Sequence, residues 1–342
     1  MNGKITAIIS ALLAAVFYAV NVPASKLLLD EVSPTMMAAL LYLGAGAGIG
    51  IVRLWRPGVE AHAERFTGRD LPYIAGMILL DIAAPICLML GIRLGTSSNA
   101  SLLGNFEIVA TTLIALALFK EPVSRRLWAA VGLIALSSAL LSFEGAESLR
   151  FSKGSLLVLL ATLCWGLENN CTRALSSKSA FDIVILKGIF SGGGSLLIAL
   201  ARGESFPDAA HIALTLLLGF VAYGLSIFLY VRAQASLGAA RTSAYYAAAP
   251  FFGAFLSFLL LREPLSGAFL AALLVMLAGS ALVVMDTLIK SHAHAHNHTY
   301  THTHDGTTHT HTVSHVHAHN HFLTLNAHGH HHSRQELETH HA

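Results

Sequence analysis

Two short strings in the sequence decide how its fold is interpreted. Residues 118–124 read Leu-Phe-Lys-Glu-Pro-Val-Ser, and residues 260–266 read Leu-Leu-Arg-Glu-Pro-Leu-Ser. In each string the basic residue suits a helix C-terminus, where the helix dipole is negative, and the proline cannot extend that helix but starts the next one well. Each string therefore predicts a helix–turn–helix junction, and its recurrence indicates an internal repeat. The repeated motif residues are Glu121, Pro122, Glu263 and Pro264.

The composition around these strings indicates a membrane protein. Of 342 residues, 54% are hydrophobic and 12% are charged, whereas soluble proteins carry about 25% charged residues. The mean hydropathy is +0.62. The net charge of +2 offers no basic surface for nucleic acid. We therefore expect a multi-pass protein whose main partner is the lipid bilayer, with no nucleic-acid partner.

Ten apolar segments are long enough to cross the bilayer, which takes about 20 residues of helix. The sequence therefore predicts an all-α membrane protein with ten transmembrane helices. The ten segments are residues 5–28, 35–55, 72–92, 97–119, 126–143, 154–173, 181–201, 211–231, 240–261 and 267–289.

The ten segments fall into two sets of five, in residues 1–145 and residues 146–290. Because five is odd, the second set must enter the membrane from the opposite face. This predicts two inverted five-helix repeats with a central site between them, an arrangement of many secondary transporters. With the N-terminus inside, 14 Lys and Arg residues fall on the cytoplasmic side and 6 on the other. We expect a bacterial-type inner membrane protein with both termini in the cytoplasm.

The sequence resembles the EamA branch of the drug/metabolite transporter superfamily over about residues 5–289. The resemblance rests on the two Glu-Pro strings, on Tyr18-Ala19 with a basic residue after it, and on Ala-Ser-Leu-Leu-Gly-Asn-Phe-Glu at residues 100–107. It implies ten helices, alternating access and export of small solutes. The second repeat has Ala249-Pro250 where the first has Glu107-Ile108, so the halves are unequal.

Ionisable side chains near mid-membrane are candidates for function, because each costs about 2.5–3.5 kcal/mol to insert. Asp81, Glu107, Glu168 and Lys187 occupy such positions. The alternative is that the acids form buried pairs with Lys187 and serve the fold. The predicted transport path comprises Asp81, Asn105, Glu107, Glu168, Asn169, Lys187 and Tyr245.

Span six offers one candidate metal site within the apolar body. Cys164, Glu168 and Cys171 share one helical face and would suit zinc, cobalt or nickel. The alternative is that small cysteines are simply buried in an apolar helix. The body shows no His-Glu-x-x-His motif and no nucleophile–base pair. We therefore expect a protein that is not an enzyme and requires no cofactor.

Residues 291–342 differ from the body, since they hold 18 of the 20 histidines. Scattered apolar residues predict a disordered cytoplasmic tail. Neutral imidazole suits nickel, cobalt, zinc and copper, so the tail is expected to bind a divalent transition metal; a pH-responsive or solubilising tail is the alternative. The predicted ligands are His292, His294, His296, His298, His302, His304, His309, His311, His315, His317, His319, His321, His330, His331 and His332.

Three functional hypotheses follow from these patterns. The first is export of a divalent transition metal, nickel or cobalt before zinc, with the tail collecting the ion. The second is export of an amino acid or small metabolite, with a tail that only buffers or senses metal. The third is a metal storage or sensing protein with a transporter-derived anchor. A homodimer stays an open alternative for the assembly.

Overall fold

The computed structural model describes most of the chain, and the chain divides into two compact units. One unit ends at Val284 and the other begins at Met285. The described residues are 2–55, 64–119, 124–143, 152–175, 177–237, 242, 245–304 and 307–322.

The first unit is a bundle of helices. Its first half contains α1 (Asn2–Ala19), α2 (Asn21–Leu28), α3 (Pro34–Trp55), α4 (Leu71–Leu94), α5 (Ser97–Leu103), α6 (Phe106–Phe119) and α7 (Arg125–Ser142), with a 3₁₀ turn at Gly68–Asp70. Its second half contains α8 (Lys153–Ala174), α9 (Ala180–Leu186), α10 (Gly192–Ala201), α11 (Ala209–Gly219), α12 (Ser226–Leu237), α13 (Ala249–Leu261) and α14 (Gly267–Leu288).

Seven helical segments in the described residues are long and apolar enough to cross a membrane, so the body is a multi-pass helical membrane protein. They are Ile5–Leu28, Pro34–Trp55, Gly68–Leu94, Arg125–Ser142, Ala180–Ala201, Ala209–Ala233 and Gly267–Asp286. At the other three predicted positions lie the separate helices α5 and α6, the 22-residue α8 with polar residues in its C-terminal third, and the 13-residue α13. The count of ten spans and the inverted repeat therefore stay predictions.

Several helices are interrupted inside the bundle. The break between α1 and α2 lies at Val20, and the break between α5 and α6 lies at Gly104-Asn105. Two π-helical segments, Lys187–Ser191 and Phe220–Leu225, join α9 to α10 and α11 to α12. Each π segment widens the helix locally and redirects the side chains after it, and such segments are frequent at functional sites.

The second unit departs from the predicted disordered tail. Its described part consists of the end of α14, from Met285 on, and an antiparallel pair of strands, β1 (Ile289–His304) and β2 (Thr307–Phe322). Alternation with a period of two and frequent threonine both favour strands. The dipeptide Asp305-Gly306 between the strands is of the type favoured in two-residue hairpins. The sequence was therefore better suited to a hairpin than its low apolar content indicated.

Close packing of α3 depends on glycine. Gly46 of α3 lies against Gly188 with no side chain between the two backbones, and Gly44 faces the carbonyl group of Leu216 in α11. A Cβ added at Gly44 would overlap that carbonyl oxygen, whereas a Cβ at Gly50 would meet no atom within 4 Å. Small residues at such contacts let membrane helices approach closely.

We predict that Gly44→Ala destabilises the bundle by about 1–3 kcal/mol through overpacking against α11. Gly50→Ala on the same helix is the matched control, since both changes gain the same helix propensity of about 0.8–1 kcal/mol. The free energy of unfolding, measured by titration with sodium dodecyl sulfate, compares the two. Equal stability of the two variants would show that the α3–α11 contact is not tight.

Candidate functional site

A buried lysine joins two carboxylates from different helices. Lys187, the first residue of the π segment after α9, donates to Glu168 Oε1 of α8 at 2.6 Å and lies 3.2 Å from Asp81 Oδ2 of α4. Lys187, Glu168 and Asp81 are only 6%, 3% and 1% exposed. We call these three residues the central triad. The structure thus brings three predicted path residues together, in the ion-paired arrangement that was the alternative to a free binding site.

Two hydroxyl groups donate hydrogen bonds to the two acids of the triad. Tyr42 Oη of α3 donates to Asp81 Oδ1 at 2.9 Å, and Thr172 donates to Glu168 one helical turn away. Asp81 Oδ2 has no hydrogen-bond partner in the described part of the chain besides its ionic contact with Lys187. Lys187 is therefore the one partner of this oxygen among the described side chains, and a bound cationic group would share the oxygen with it.

Tyr42 and Thr172 were missed by the sequence analysis. Thr172 follows Glu168 by four residues, and this spacing places the two on one helical face, so a search for neighbours of the acids would have found it. Tyr42 is a single hydroxyl in an apolar span, and only the packing of α3 against α4 places it beside Asp81.

Glu107 lies apart from the triad, in the first turn of α6. Asn169 Nδ2 of α8 donates to Glu107 Oε1 at 2.6 Å and lies 3.5 Å from Thr111 Oγ1. Within the described residues, the partner of the Glu107 carboxyl is an amide and not a cation. The helix break at Gly104-Asn105 comes directly before it, and a carboxyl group is stabilised at a helix N-terminus.

The remaining predicted path residues have different environments. Asn105 is 2% exposed, and its Nδ2 atom has no hydrogen-bond partner among the described residues; the same holds for Ser101 Oγ. Tyr245 is partly buried. The ring centroid of its neighbour Tyr246 lies 5.8 Å from that of Tyr18.

Tyrosine rings form one wall of the interior beside the triad. The ring of Tyr223 lies 5.2 Å from that of Tyr42 and 6.0 Å from that of Tyr18, measured between centroids. Asn21 Nδ2 of α2 donates to Tyr223 Oη at 3.0 Å. This wall connects Asp81, through Tyr42, to helices of both halves.

The metal site considered for span six is not formed. The described side chains contain no group of three or more His, Cys, Asp or Glu residues that could hold a metal ion. Glu168 instead binds the ammonium group of Lys187, whose charge would repel a cation. Cys164 and Cys171 are free thiols that are partly buried in the helical bundle.

The repeated Glu-Pro string has a structural role in its second copy. Glu263 accepts hydrogen bonds from the backbone N–H of Ser97 at 2.7 Å and of the next residue at 2.8 Å, and so caps the start of α5. Pro264 follows in the connection between α13 and α14. Glu121 and Pro122 lie outside the described residues.

The predicted histidine ligands belong to the second unit. Those from residues 292 to 321 lie in β1 and β2. His330, His331 and His332 lie outside the described residues.

The bundle of long apolar helices with buried charges at its centre is that of a multi-pass membrane protein. Comparison with known families identifies its class as a membrane transporter. The EamA-like transporter family matches residues 5–143 and 152–285, so the chain belongs to this family. An uncharacterized transporter of Methanothermobacter thermautotrophicus is 26% identical over 283 residues, covering 75% of this chain and 80% of that protein. A solved crystal structure with 17% identity has a TM-score of 0.61 over 82% of this chain and 96% of that one, which shows a shared fold.

We predict that Lys187→Met lowers the free energy of unfolding by about 3–5 kcal/mol, because two carboxylates would be left buried without their cation. Replacing the whole triad, with Asp81→Asn, Glu168→Gln and Lys187→Met together, should recover most of this loss. Arg202→Met is the control, since Arg202 is 60% exposed in its pair with Glu204, and exposed pairs contribute about 0–1 kcal/mol. An equal effect at Lys187 and Arg202 would show that the triad is not desolvated.

Proposed function

We propose that this chain is a secondary transporter that exports a small polar organic solute of the amino-acid type. The observation that carries this proposal is the central triad, in which Lys187 lies between Asp81 and Glu168. A solute carboxylate is complementary to the ammonium group of Lys187. A solute ammonium group is complementary to Asp81 Oδ2, whose partner among the described residues is Lys187 at 3.2 Å. One solute with both charges would satisfy both groups.

The triad favours an organic solute over a bare metal ion for an electrostatic reason. A divalent cation entering here would meet the charge of Lys187, and in a medium of low polarity that repulsion is several-fold stronger than in water. To bind the cation, Asp81 and Glu168 would first have to break their ion pairs with Lys187. The tyrosine wall adds apolar surface and hydroxyl groups, which suit the body of an organic molecule.

Glu107 is the proposed carrier of a coupling proton. Its carboxyl group is held by the amide of Asn169 and has no cationic partner among the described residues. It can therefore gain or lose a proton without breaking an ion pair. Asn169 follows Glu168 directly in α8, so a shift of this helix would act on both groups. This arrangement offers a physical route from protonation to solute release.

Alternating access between two inverted repeats is part of the proposal. Helix α4 packs along α8, and α1 packs along α12. In the predicted repeats, α4 corresponds to α12 and α8 corresponds to α1. The α4–α8 contact of one repeat arrangement is therefore the counterpart of the α12–α1 contact. Elsewhere, Lys178 binds Glu64 at 3.2 Å and Asp70 at 3.3 Å, and Arg53 pairs with Asp182. These ion pairs join residues of the two halves and would separate if that end of the bundle opened.

We predict that Glu107→Gln removes proton coupling and retains solute binding. In proteoliposomes, uptake of radiolabelled amino acids driven by a pH gradient should fall to background. Exchange of labelled for unlabelled solute without a gradient should continue, because the triad is intact. Glu31→Gln, at an exposed position between α2 and α3, is the control. Gradient-driven uptake at the wild-type rate in Glu107→Gln would remove this residue from the mechanism.

Export of a divalent transition metal, nickel or cobalt before zinc, is a second candidate function. It is favoured by the 18 histidines after residue 290. A tail on the cytoplasmic side would raise the local ion concentration at the inner mouth. In this case the acids of the path would carry the ion or the counter-transported protons.

Metal contents of cells separate the two candidates. In bacteria that lack their own exporters, we expect the full chain to bind metal without lowering the cell content of nickel, cobalt or zinc. A chain ending at Ser291 should lose this binding, and Glu107→Gln should keep it. The metal content of cells and of purified protein would be measured by mass spectrometry after loading. If the full chain lowers one metal and Glu107→Gln does not, metal export replaces the first proposal.

A further inference from the structure

The register of the C-terminal hairpin collects its histidines on one face. Directly opposite residues of an antiparallel pair lie on the same face, and every second residue along a strand returns to it. Every histidine of β1 and of β2 occupies a position of the same face in this register. We call three consecutive pairs the histidine ladder. Its rungs are His292–His319, His294–His317 and His296–His315.

The other histidines of the hairpin are arranged differently. One isolated pair, His302 with His309, lies farther along the strands, and four histidines face a residue of another type. The opposite face of the two strands carries serine, threonine, alanine, asparagine and valine at the paired positions, without histidine. The ladder is therefore the densest grouping of imidazoles that the register creates. The four without an opposite histidine are His298, His304, His311 and His321.

The spacing of the ladder suits chelation of one ion by both strands. Opposite Cα atoms of an antiparallel pair are about 4.5–5.5 Å apart, and neighbouring rungs are two residues, or about 6.8 Å, apart. Metal–imidazole bonds are about 2.0–2.1 Å long. Two adjacent rungs thus place four histidine positions on one face, with neighbouring Cα positions about 5–7 Å apart across and along the strands. Neutral imidazole is a preferred ligand of divalent nickel, copper and zinc.

We propose that the histidine ladder is a binding site for a divalent transition metal ion, in which residues of both strands hold the same ion. The site is defined by strand register and not by histidine content alone. A two-stranded hairpin is only marginally stable in water, so an ion shared between the strands also stabilises their pairing. Protonation of the imidazoles, whose unperturbed pKa is about 6.5, releases the ion in acid.

The ladder specifies which residues of the tail would bind metal in the second candidate function. Its binding of metal does not depend on the central triad. A protein that exports an organic solute could carry the ladder as a metal buffer or sensor. The test therefore measures binding alone, so that its failure is separate from failure of either transport proposal.

The test compares two double variants of the full-length protein, purified in detergent and titrated with Ni²⁺ in a calorimeter at pH 7.5. His294→Gln with His317→Gln removes the central rung. His304→Gln with His311→Gln removes one histidine from each strand outside the ladder and leaves the same number of histidines. We expect the first variant to weaken the tightest site by about tenfold or more and the control by less than about twofold, because a tethered ligand acts at an effective concentration of order mM.

A second measurement counts the ligands directly. Electron paramagnetic resonance of one equivalent of Cu²⁺ should show more nitrogen donors in the control than in the central-rung variant. Equal weakening of Ni²⁺ binding in both variants would mean that histidine content alone determines affinity, and would overturn the proposal. Absence of Ni²⁺ binding to the unaltered chain would overturn it as well. Elution of both variants at the wild-type volume on gel filtration shows that the bundle is intact.

Discussion

The helical bundle depends on one electrostatic constraint, the compensation of three buried charges at its centre. Removing a charged group from water costs several kcal/mol, and only well-placed partners offset that cost. Lys187 meets this requirement through Glu168 Oε1 at 2.6 Å and Asp81 Oδ2 at 3.2 Å. Tyr42 donates to the other oxygen of Asp81, and Thr172 donates to the same oxygen of Glu168 as Lys187 does. These five side chains come from α3, α4, α8 and the π segment. The relative positions of four helical segments are therefore fixed by one polar cluster.

The helix interruptions and the glycine contacts are backbone features that help to place Lys187 beside its two carboxylates. Lys187 opens a π segment, where the helix is locally widened. The next residue is Gly188, whose backbone lies against Gly46 of α3. With a side chain at either glycine, α3 could not lie this close to the π segment that carries Lys187. Close packing on one side of the π segment and ion pairing on the other are thus two consequences of a single local geometry.

The sequence singled out the charged residues of the apolar segments but did not predict which of them meet. Asp81, Glu168 and Lys187 stand out because ionisable groups are rare in apolar spans. Which of them meet depends on tertiary packing, and so does the separate environment of Glu107. In the tail, the local pattern could be predicted from the sequence but the pairing of distant residues could not. Its alternation of histidine was visible in the sequence, but the pairing of His294 with His317 requires the register of a long hairpin, and low apolar content pointed to disorder instead.

The two units use opposite electrostatic solutions, and this difference bears on the role of metal. The metal site proposed for the ladder relies on neutral imidazoles, which would bind a cation and lose it on protonation. The triad already contains a cation, and its acids are satisfied by Lys187. A metal ion could bind the two carboxylates only by displacing Lys187 from them. Metal binding by the ladder and transport through the triad are therefore separate proposals, and each can be tested without the other.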